Sequence, residues 1–95
     1  MDIAVIGLNH RTAGAEIRER AAFTDVKKIE IINSLLDRGL DEVVIVSTCN
    51  RSEIYIAAPE EKLEQQVEVV REQYEGLLEE AARDKYLYIK IGHDA

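Results

Sequence analysis

The sequence predicts an α+β fold: a ferredoxin-like βαββαβ sandwich in which an antiparallel four-stranded sheet carries helices on one face. Three observations favour this fold. The chain has 95 residues, enough for a single domain spanning 1–95. Short runs rich in Ile and Val alternate with longer segments whose apolar residues recur at helical spacing. These segments follow each other as strand, helix, strand, strand, helix, strand.

The first half of the chain contains a strand and two helical segments. Residues 2–8 (DIAVIGL) have the short length and the Ile/Val content of a buried strand. After a polar loop, residues 16–23 (EIRERAAF) are compatible with a short helix. Thr24 or Asp25 can cap the next helix, and Gly39 is the expected residue just past its end. The apolar residues that keep the helical period between these signals are Val26, Ile29, Ile32, Leu35 and Leu36.

Two strands follow, separated by a polar turn. Residues 43–46 are four β-branched residues in succession, which is typical of a strand buried on both faces. Residues 53–57 alternate, so that Ile54 and Ile56 share one side and Tyr55 lies on the other.

The clearest helix is predicted over residues 60–83, after Pro59. Residues 86–91 (YLYIKI) alternate as expected of a final strand. We expect Tyr74, Tyr86 and Tyr88 to pack in the core and not to stack on bases. The apolar residues of the helix recur every three or four positions: Leu63, Val67, Val70, Tyr74, Leu77 and Ala81.

Charge and composition exclude several classes of function. The net charge is −7, and residues 52–95 carry −6 of it. A large non-specific nucleic-acid interface is therefore excluded, although a small contact with a nucleic-acid end stays open for residues 1–51. One Cys and two His are too few for a disulfide framework or a structural zinc site. For the same reason we expect no bound metal. No apolar run spans a bilayer and the N-terminus has no basic leader, so we expect a cytoplasmic protein.

The predicted topology gathers the unusual polar residues at one rim of the sheet. Residues 9–15 follow the first strand, and residues 47–52 connect the second and third strands. If the first and second strands run in the same direction and the third runs back, as this topology predicts, both loops lie at the same end of the sheet.

Cys49 has the most reactive side chain on this rim, because its thiolate is a nucleophile. It lies in a polar T-C-N-R turn between two apolar strands, an unusual place for a core residue. Nearby cationic groups, Arg51, Arg11 and His10, could favour the nucleophilic thiolate. The alternative is that Cys49 is a small buried hydrophobic residue.

The neighbours of Cys49 each have a functional and a structural interpretation. Arg51 has the planar donor fork that binds a carboxylate, or it forms a surface ion pair with Glu53. Thr48 and Asn50 could donate hydrogen bonds to a substrate, or they stabilise the turn. His10 could act as a general base, or it is an ordinary loop histidine.

Two sequence blocks resemble the N-terminal catalytic domain of glutamyl-tRNA reductase. IGLNHRTAGAEIRERAAF (6–23) and VIVSTCNRSEIYI (44–56) match the family patterns G-L-N-H-[KR]-T-A-P, E-[IL]-R-E and S-T-C-N-R-[ST]-E-[IL]-Y in order and spacing. The S-T-C-N-R-S-E string is a specific signal, and the resemblance covers the whole chain. Gly14 stands where the family usually has Pro, which loosens the loop and removes no reactive group.

The resemblance implies an oxidoreductase that reduces the glutamate of glutamyl-tRNA(Glu) to glutamate 1-semialdehyde with NADPH, the first step of tetrapyrrole (porphyrin and haem) biosynthesis. Cys49 matches the nucleophile that holds glutamate as a thioester, and Arg51 matches the residue on its carboxylate. Thr48 and Asn50 match further positions that hold the glutamyl group. The supporting residues implied by the two blocks, whose individual roles stay open, are Asn9, His10, Thr12 and Glu53.

The resemblance also implies that this chain is the nucleophile-bearing fragment of the catalytic domain. The NADPH-binding domain, the dimerisation domain and a further active-site His would then lie beyond Ala95, and His93 is not that His. We expect the fragment alone to lack reductase activity. The whole enzyme is expected to be a homodimer that binds glutamyl-tRNA(Glu) and no membrane, with glutamate-1-semialdehyde aminomutase as a candidate partner.

Two other functions stay open on the residues alone. One is a non-catalytic ferredoxin-like module that binds RNA or a small ligand. The other is an interaction module whose acidic helix, residues 60–83, docks a partner. A reactive Cys49 is required by the enzyme hypothesis and by neither alternative.

Overall fold

The strands and helices follow the predicted order, and each helical connection is divided into two pieces. The computed structural model describes residues 1–75 and 77–92. The elements are β1 (Asp2–Asn9), α1 (Ala15–Arg20), α2 (Asp25–Asp37), β2 (Glu42–Ser47), β3 (Arg51–Ala58), α3 (Glu60–Arg71), a 3₁₀ turn (Glu72–Tyr74), α4 (Glu80–Tyr86) and β4 (Tyr88–Gly92). The sheet is antiparallel throughout, in the order β2-β3-β1-β4, which confirms the ferredoxin-like prediction.

The core lies on one face of this sheet. Alternate residues of β1 and β3 are buried there, as strand geometry requires, and α3 packs across both strands while α2 packs against β2. On the other face Ile3 and Val44 are 53% and 59% exposed. The prediction that residues 43–46 are buried on both faces is therefore wrong. The reason is that β2 is an edge strand of a sheet whose described helices cover a single face.

The ends of α2 agree with the sequence, but its buried face does not. The Thr24 hydroxyl accepts a hydrogen bond from the Lys27 N–H at 3.2 Å, and Gly39 follows the helix with φ +95°. Of the five periodic residues only Leu35 is buried, while Val26, Ile29 and Leu36 are 68%, 61% and 44% exposed. The other buried residue of the helix is Ile31, which is not among the five. The helix has more apolar residues than the single face against β2 can bury.

The predicted continuous helix over residues 60–83 is wrong, because α3 ends at Arg71 and residues 80–83 belong to a separate helix, α4. A helix of that length would measure about 36 Å, more than the 35 Å long axis of the whole domain. The chain instead tightens into the 3₁₀ turn, which places Tyr74 in the core with its ring centroid 5.7 Å from that of Phe23. Leu78 is buried next, and α4 then takes in Tyr86, so the last strand begins at Tyr88.

The first helix is shorter than predicted, since it ends at Arg20. Ala21 and Phe23 leave the helix and are buried in the core. The buried hydroxyl of Ser52 donates to the Ala21 carbonyl oxygen at 2.7 Å, and Ser47 accepts from the Phe23 N–H at 3.0 Å. These bonds hold the α1–α2 connection against β2 and β3, close to the rim that carries Cys49.

Candidate functional site

The two polar loops meet at one rim, as the topology predicts. Asn9, the last residue of β1, pairs with Arg51, the first residue of β3. Arg18 of α1 joins the loops, because its Nε donates to the Cys49 carbonyl oxygen at 3.1 Å and its Nη1 donates to the Ala13 carbonyl oxygen at 2.8 Å. A charged side chain shared by two backbone carbonyls keeps the loops in contact.

Cys49 lies at the exposed tip of the β2–β3 turn, so its interpretation as a buried hydrophobic residue is wrong. The turn closes through the Thr48 N–H, which donates to the Arg51 carbonyl oxygen at 2.8 Å. The Thr48 hydroxyl oxygen accepts from the N–H groups of Asn50 and Arg51 at 3.2 and 3.3 Å. Thr48 therefore has the turn-forming role that the sequence left as an alternative, and its hydroxyl hydrogen stays free to donate, because accepting does not use it.

A cavity of about 430 Å³ opens between the two loops. Arg11 and Arg51 give it two permanent positive charges. Cys49 is in the turn at its border but not among the residues that line it. The walls are formed by Asn9, His10, Arg11, Thr48, Asn50, Arg51 and the buried Glu53.

Glu53 is the most buried charged residue of the site, with 8% of its side chain exposed. Its Oε1 accepts from the Tyr55 hydroxyl at 3.0 Å and lies 3.5 Å from the Arg51 Nε. Its Oε2 accepts from the Tyr88 hydroxyl. Two phenols and one guanidinium therefore compensate the loss of water around this carboxylate.

Gly7 provides the space in which Glu53 lies. Gly7 pairs with Glu53 on one side and with Tyr88 on the other. A Cβ on Gly7 would lie 2.2 Å from the Ser52 carbonyl oxygen and 2.9 Å from the Glu53 Cγ. The absence of a side chain at Gly7 therefore lets the side chain of Glu53 lie across β1.

Tyr88 corrects a sequence prediction, because it lies on the open face of the sheet beside the site and not in the core. Burial raises the pKa of Tyr88, and its hydrogen bond to Glu53 and the charge of that residue raise it further. The same three causes raise the pKa of Tyr55. The alternation of Tyr88 and Lys90 with Leu87, Ile89 and Ile91 was the signal that could have placed this tyrosine away from the core.

The supporting residues of the first loop have mostly structural contacts. The Asn9 Oδ1 accepts from the N–H groups of Arg11 and Thr12 at 2.9 and 3.2 Å, and the Thr12 hydroxyl oxygen accepts from the Asn9 N–H at 3.0 Å. Asn9 also donates from its Nδ2 to the Tyr88 hydroxyl at 3.4 Å, which links the loop to β4. His10 is exposed on the cavity wall, and His93 lies outside the described residues.

Within residues 1–75 and 77–92, no helix has both the length and the apolar character needed to cross a membrane. Within the same ranges, no three side chains of His, Cys, Asp or Glu converge as metal ligands would.

Comparison with known proteins identifies the family. The model of the "Glutamyl-tRNAGlu reductase, N-terminal domain" family matches residues 6–95. The glutamyl-tRNA reductase of Clostridium novyi is 35% identical over 95 residues, which are all of this chain and 23% of that protein. That of Thermodesulfovibrio yellowstonii is 55% identical over 58 residues, or 59% of this chain and 14% of that protein.

A solved structure supports the fold. Glutamyl-tRNA reductase from Methanopyrus kandleri superposes with a TM-score of 0.61 over 95% of this chain and 19% of that chain, at 24% sequence identity. The chain spans about a quarter, or less, of the length of the relatives it matches. Because the family model extends from the end of β1 through every later element of the sheet, this chain belongs to the N-terminal domain family of glutamyl-tRNA reductase.

Proposed function

We propose that this chain carries out the acyl-transfer half of the glutamyl-tRNA reductase reaction, with Cys49 as the nucleophile. The observation that supports this most directly is the position of Cys49, exposed at the tip of a turn that borders a cavity with two arginines. A thiol is a strong acyl acceptor when it is accessible and beside cationic groups. The family membership supplies the substrate class, an aminoacyl ester of tRNA.

The transfer proceeds by attack of the Cys49 Sγ on the ester carbonyl carbon of glutamyl-tRNA. A carbon–sulfur bond forms and the carbon–oxygen bond to the terminal ribose breaks. The proton that leaves the thiol ends on the ribose oxygen, so the products are a glutamyl thioester and free tRNA. His10, exposed on the wall of the cavity, is the candidate to carry this proton.

The substrate's side-chain carboxylate is assigned to Arg51. Half of this side chain is exposed, and its guanidinium is at the cavity wall. A planar fork holds a carboxylate through two parallel hydrogen bonds, which distinguishes glutamate from its neutral amide. The Thr48 hydroxyl and the Asn50 amide are placed beside it to hold the remainder of the glutamyl group.

NADPH does not fit this chain, so the steps that its residues carry end at the thioester. The cavity has the size of a site for a small ligand, and the sequence contains no glycine-rich dinucleotide motif. When bound to the whole enzyme, NADPH would supply the hydride that releases glutamate 1-semialdehyde for tetrapyrrole biosynthesis in the cytoplasm. We place its site, the homodimer interface and any contact with the aminomutase in the remainder of an enzyme about four times as long as this chain.

The test is to incubate the chain with tRNA(Glu) charged with radiolabelled glutamate and to isolate the protein. We expect label that hydroxylamine releases, as from a thioester, and a Cys49 peptide heavier by one glutamyl group. Cys49→Ala should remove this label, and Arg51→Lys should reduce the rate because the fork is lost. Arg38→Lys is the matched control, since Arg38 pairs with Glu72 just past the end of α2, away from the cavity. An unlabelled wild-type chain, or a labelled Cys49→Ala chain, would contradict the assignment.

A further inference from the structure

We propose that Glu53 is a positioning residue, held in place by Tyr88 and Tyr55, that fixes the orientation of the Arg51 guanidinium at the cavity. The proposal rests on the function proposed above, because that function gives Arg51 the substrate carboxylate. It adds two tyrosines, one from the last strand of the sheet, to the set of residues on which substrate selection depends.

The burial of Glu53 costs free energy. A carboxylate with 8% of its side chain exposed loses most of its water and needs hydrogen bonds in return. An apolar side chain would satisfy this sheet position at no such cost, since the residues paired with Glu53 on the two neighbouring strands are Gly7 and Val46. A compensated carboxylate here therefore indicates a role beyond packing.

Each of the two carboxylate oxygens of Glu53 accepts a hydrogen bond from a different tyrosine. Tyr88 holds Oε2, and Tyr55 holds Oε1 at 3.0 Å. The carboxylate is thus oriented by neighbours on two strands before Arg51 is considered. The Arg51 guanidinium then meets a negative charge that is fixed in place, with the Glu53 Oε1 3.5 Å from its Nε.

The contact with Glu53 determines which donors Arg51 keeps for a ligand. A guanidinium can bind a carboxylate through its Nε edge or through its two Nη atoms. Because Glu53 lies at the Nε edge, the two Nη atoms are left for a substrate. Without this contact, a long and half-exposed side chain would sample many rotamers, and binding would have to order it.

Tyr88 makes the arrangement testable without any change of charge. Its hydroxyl bonds to Glu53 and accepts from the Asn9 Nδ2 at 3.4 Å, so Tyr88→Phe removes both contacts and keeps the ring. Tyr86→Phe is the matched control, because Tyr86 ends α4 and its ring contacts Lys85 outside the cavity.

The experiment compares alkylation of Cys49 in the 95-residue chain by iodoacetate, which carries a carboxylate, and by neutral iodoacetamide. For Tyr88→Phe we expect the ratio of the iodoacetate rate to the iodoacetamide rate to fall at least about threefold. The ratio cancels any change in the reactivity of the thiol itself, because both reagents share it. The Nε–H signal of Arg51, assigned by its loss in Arg51→Lys, should exchange with solvent faster by a similar factor. Tyr86→Phe should leave both quantities unchanged.

Glu53→Gln separates positioning from simple electrostatics. Removing a negative charge beside the cavity would raise the preference for iodoacetate if charge alone mattered, whereas loss of positioning lowers it. A raised ratio in Glu53→Gln, or an unchanged ratio and exchange rate in Tyr88→Phe, overturns the proposal. If Glu53→Gln does not fold, Tyr88→Phe and Tyr55→Phe decide the question, because both keep the carboxylate.

The positioning role of Glu53 and the proposed acyl transfer can fail independently of each other. If glutamyl-tRNA does not acylate Cys49 but Tyr88→Phe lowers the alkylation ratio, the positioning role stands and the substrate assignment fails. If acylation occurs while Tyr88→Phe changes neither the ratio nor the Arg51 exchange rate, the positioning role fails and the acyl transfer stands.

Discussion

Gly7→Ala should be among the most damaging single-methyl changes in this protein. The new Cβ would lie 2.2 Å from the Ser52 carbonyl oxygen and 2.8 Å from the Glu53 Cα. Ordinary contacts need about 3.5 Å, so the two backbones must separate by roughly 1 Å. The obstacle is the backbone of β3, which pairs with both β1 and β2 and cannot move without disturbing three strands.

The expected cost is about 3 kcal/mol, the upper part of the range for overpacking, because no flexible side chain can yield at the closest contact. Domains of this size have a total stability of about 5–14 kcal/mol, so the loss is large. The same displacement would move the carboxyl of Glu53, and we therefore expect a lower alkylation ratio at Cys49 as well.

The assay is urea unfolding followed by circular dichroism, with the free energy of unfolding extrapolated to zero denaturant. Gly14→Ala is the matched control, because Gly14 has φ −71° and open space where the Cβ would lie. It should change the free energy of unfolding by less than about 0.5 kcal/mol, because the gain from a stiffer unfolded chain is offset by the poorer N-cap that Ala gives α1. A Gly7→Ala chain within about 0.5 kcal/mol of wild type would refute the close-approach argument.

Three further predictions concern the core and the helix ends. Burial raises the pKa of Tyr74 to about 12 from 10.0, so its contribution to stability is complete below pH 10 and is lost as pH rises toward 12. Between pH 9 and 11 the wild-type free energy of unfolding should therefore fall by about 1 kcal/mol more than that of Tyr74→Phe, as urea titrations at both pH values will show. Gly39→Ala, with φ +95° and equally open space, should destabilise by about 1 kcal/mol, and calorimetry would contradict this if the melting temperature were unchanged. Thr24→Ala removes the cap on the Lys27 N–H and should lower the unfolding midpoint in urea, corresponding to about 1 kcal/mol; equal midpoints would mean that the cap is not formed in solution.

Much of the site was predictable because its signals are local or follow from strand order. Asn9 and Arg51 meet because the antiparallel pairing of β1 and β3 brings the end of one strand to the start of the other. The exposed turn around Cys49 was indicated by polar residues between two apolar strands. The assignments of Cys49, Thr48, Asn50 and Arg51 to chemistry stay predictions until the thioester is sought.

The roles of Tyr88 and Glu53 could not be predicted from local patterns. Tyr88 meets Asn9 across 79 positions of sequence, and the contact exists because β4 pairs with β1 in a register that sets Tyr88 beside Gly7. Arg18 likewise reaches the Cys49 carbonyl across 31 positions. A pattern of one strand shows which residues share a face, but not which neighbouring strand supplies their partners.

The sequence by itself determined the order of the strands, the cap at Thr24, the turn at Gly39 and the family. These features depend on backbone preferences and periodicities that a few consecutive residues express. The tertiary structure decided where α3 ends, which side of α2 is buried and where the Tyr88 hydroxyl binds. Those outcomes depend on the limited length and the single covered face of the sheet, and on strand register, which arise only when distant segments pack together.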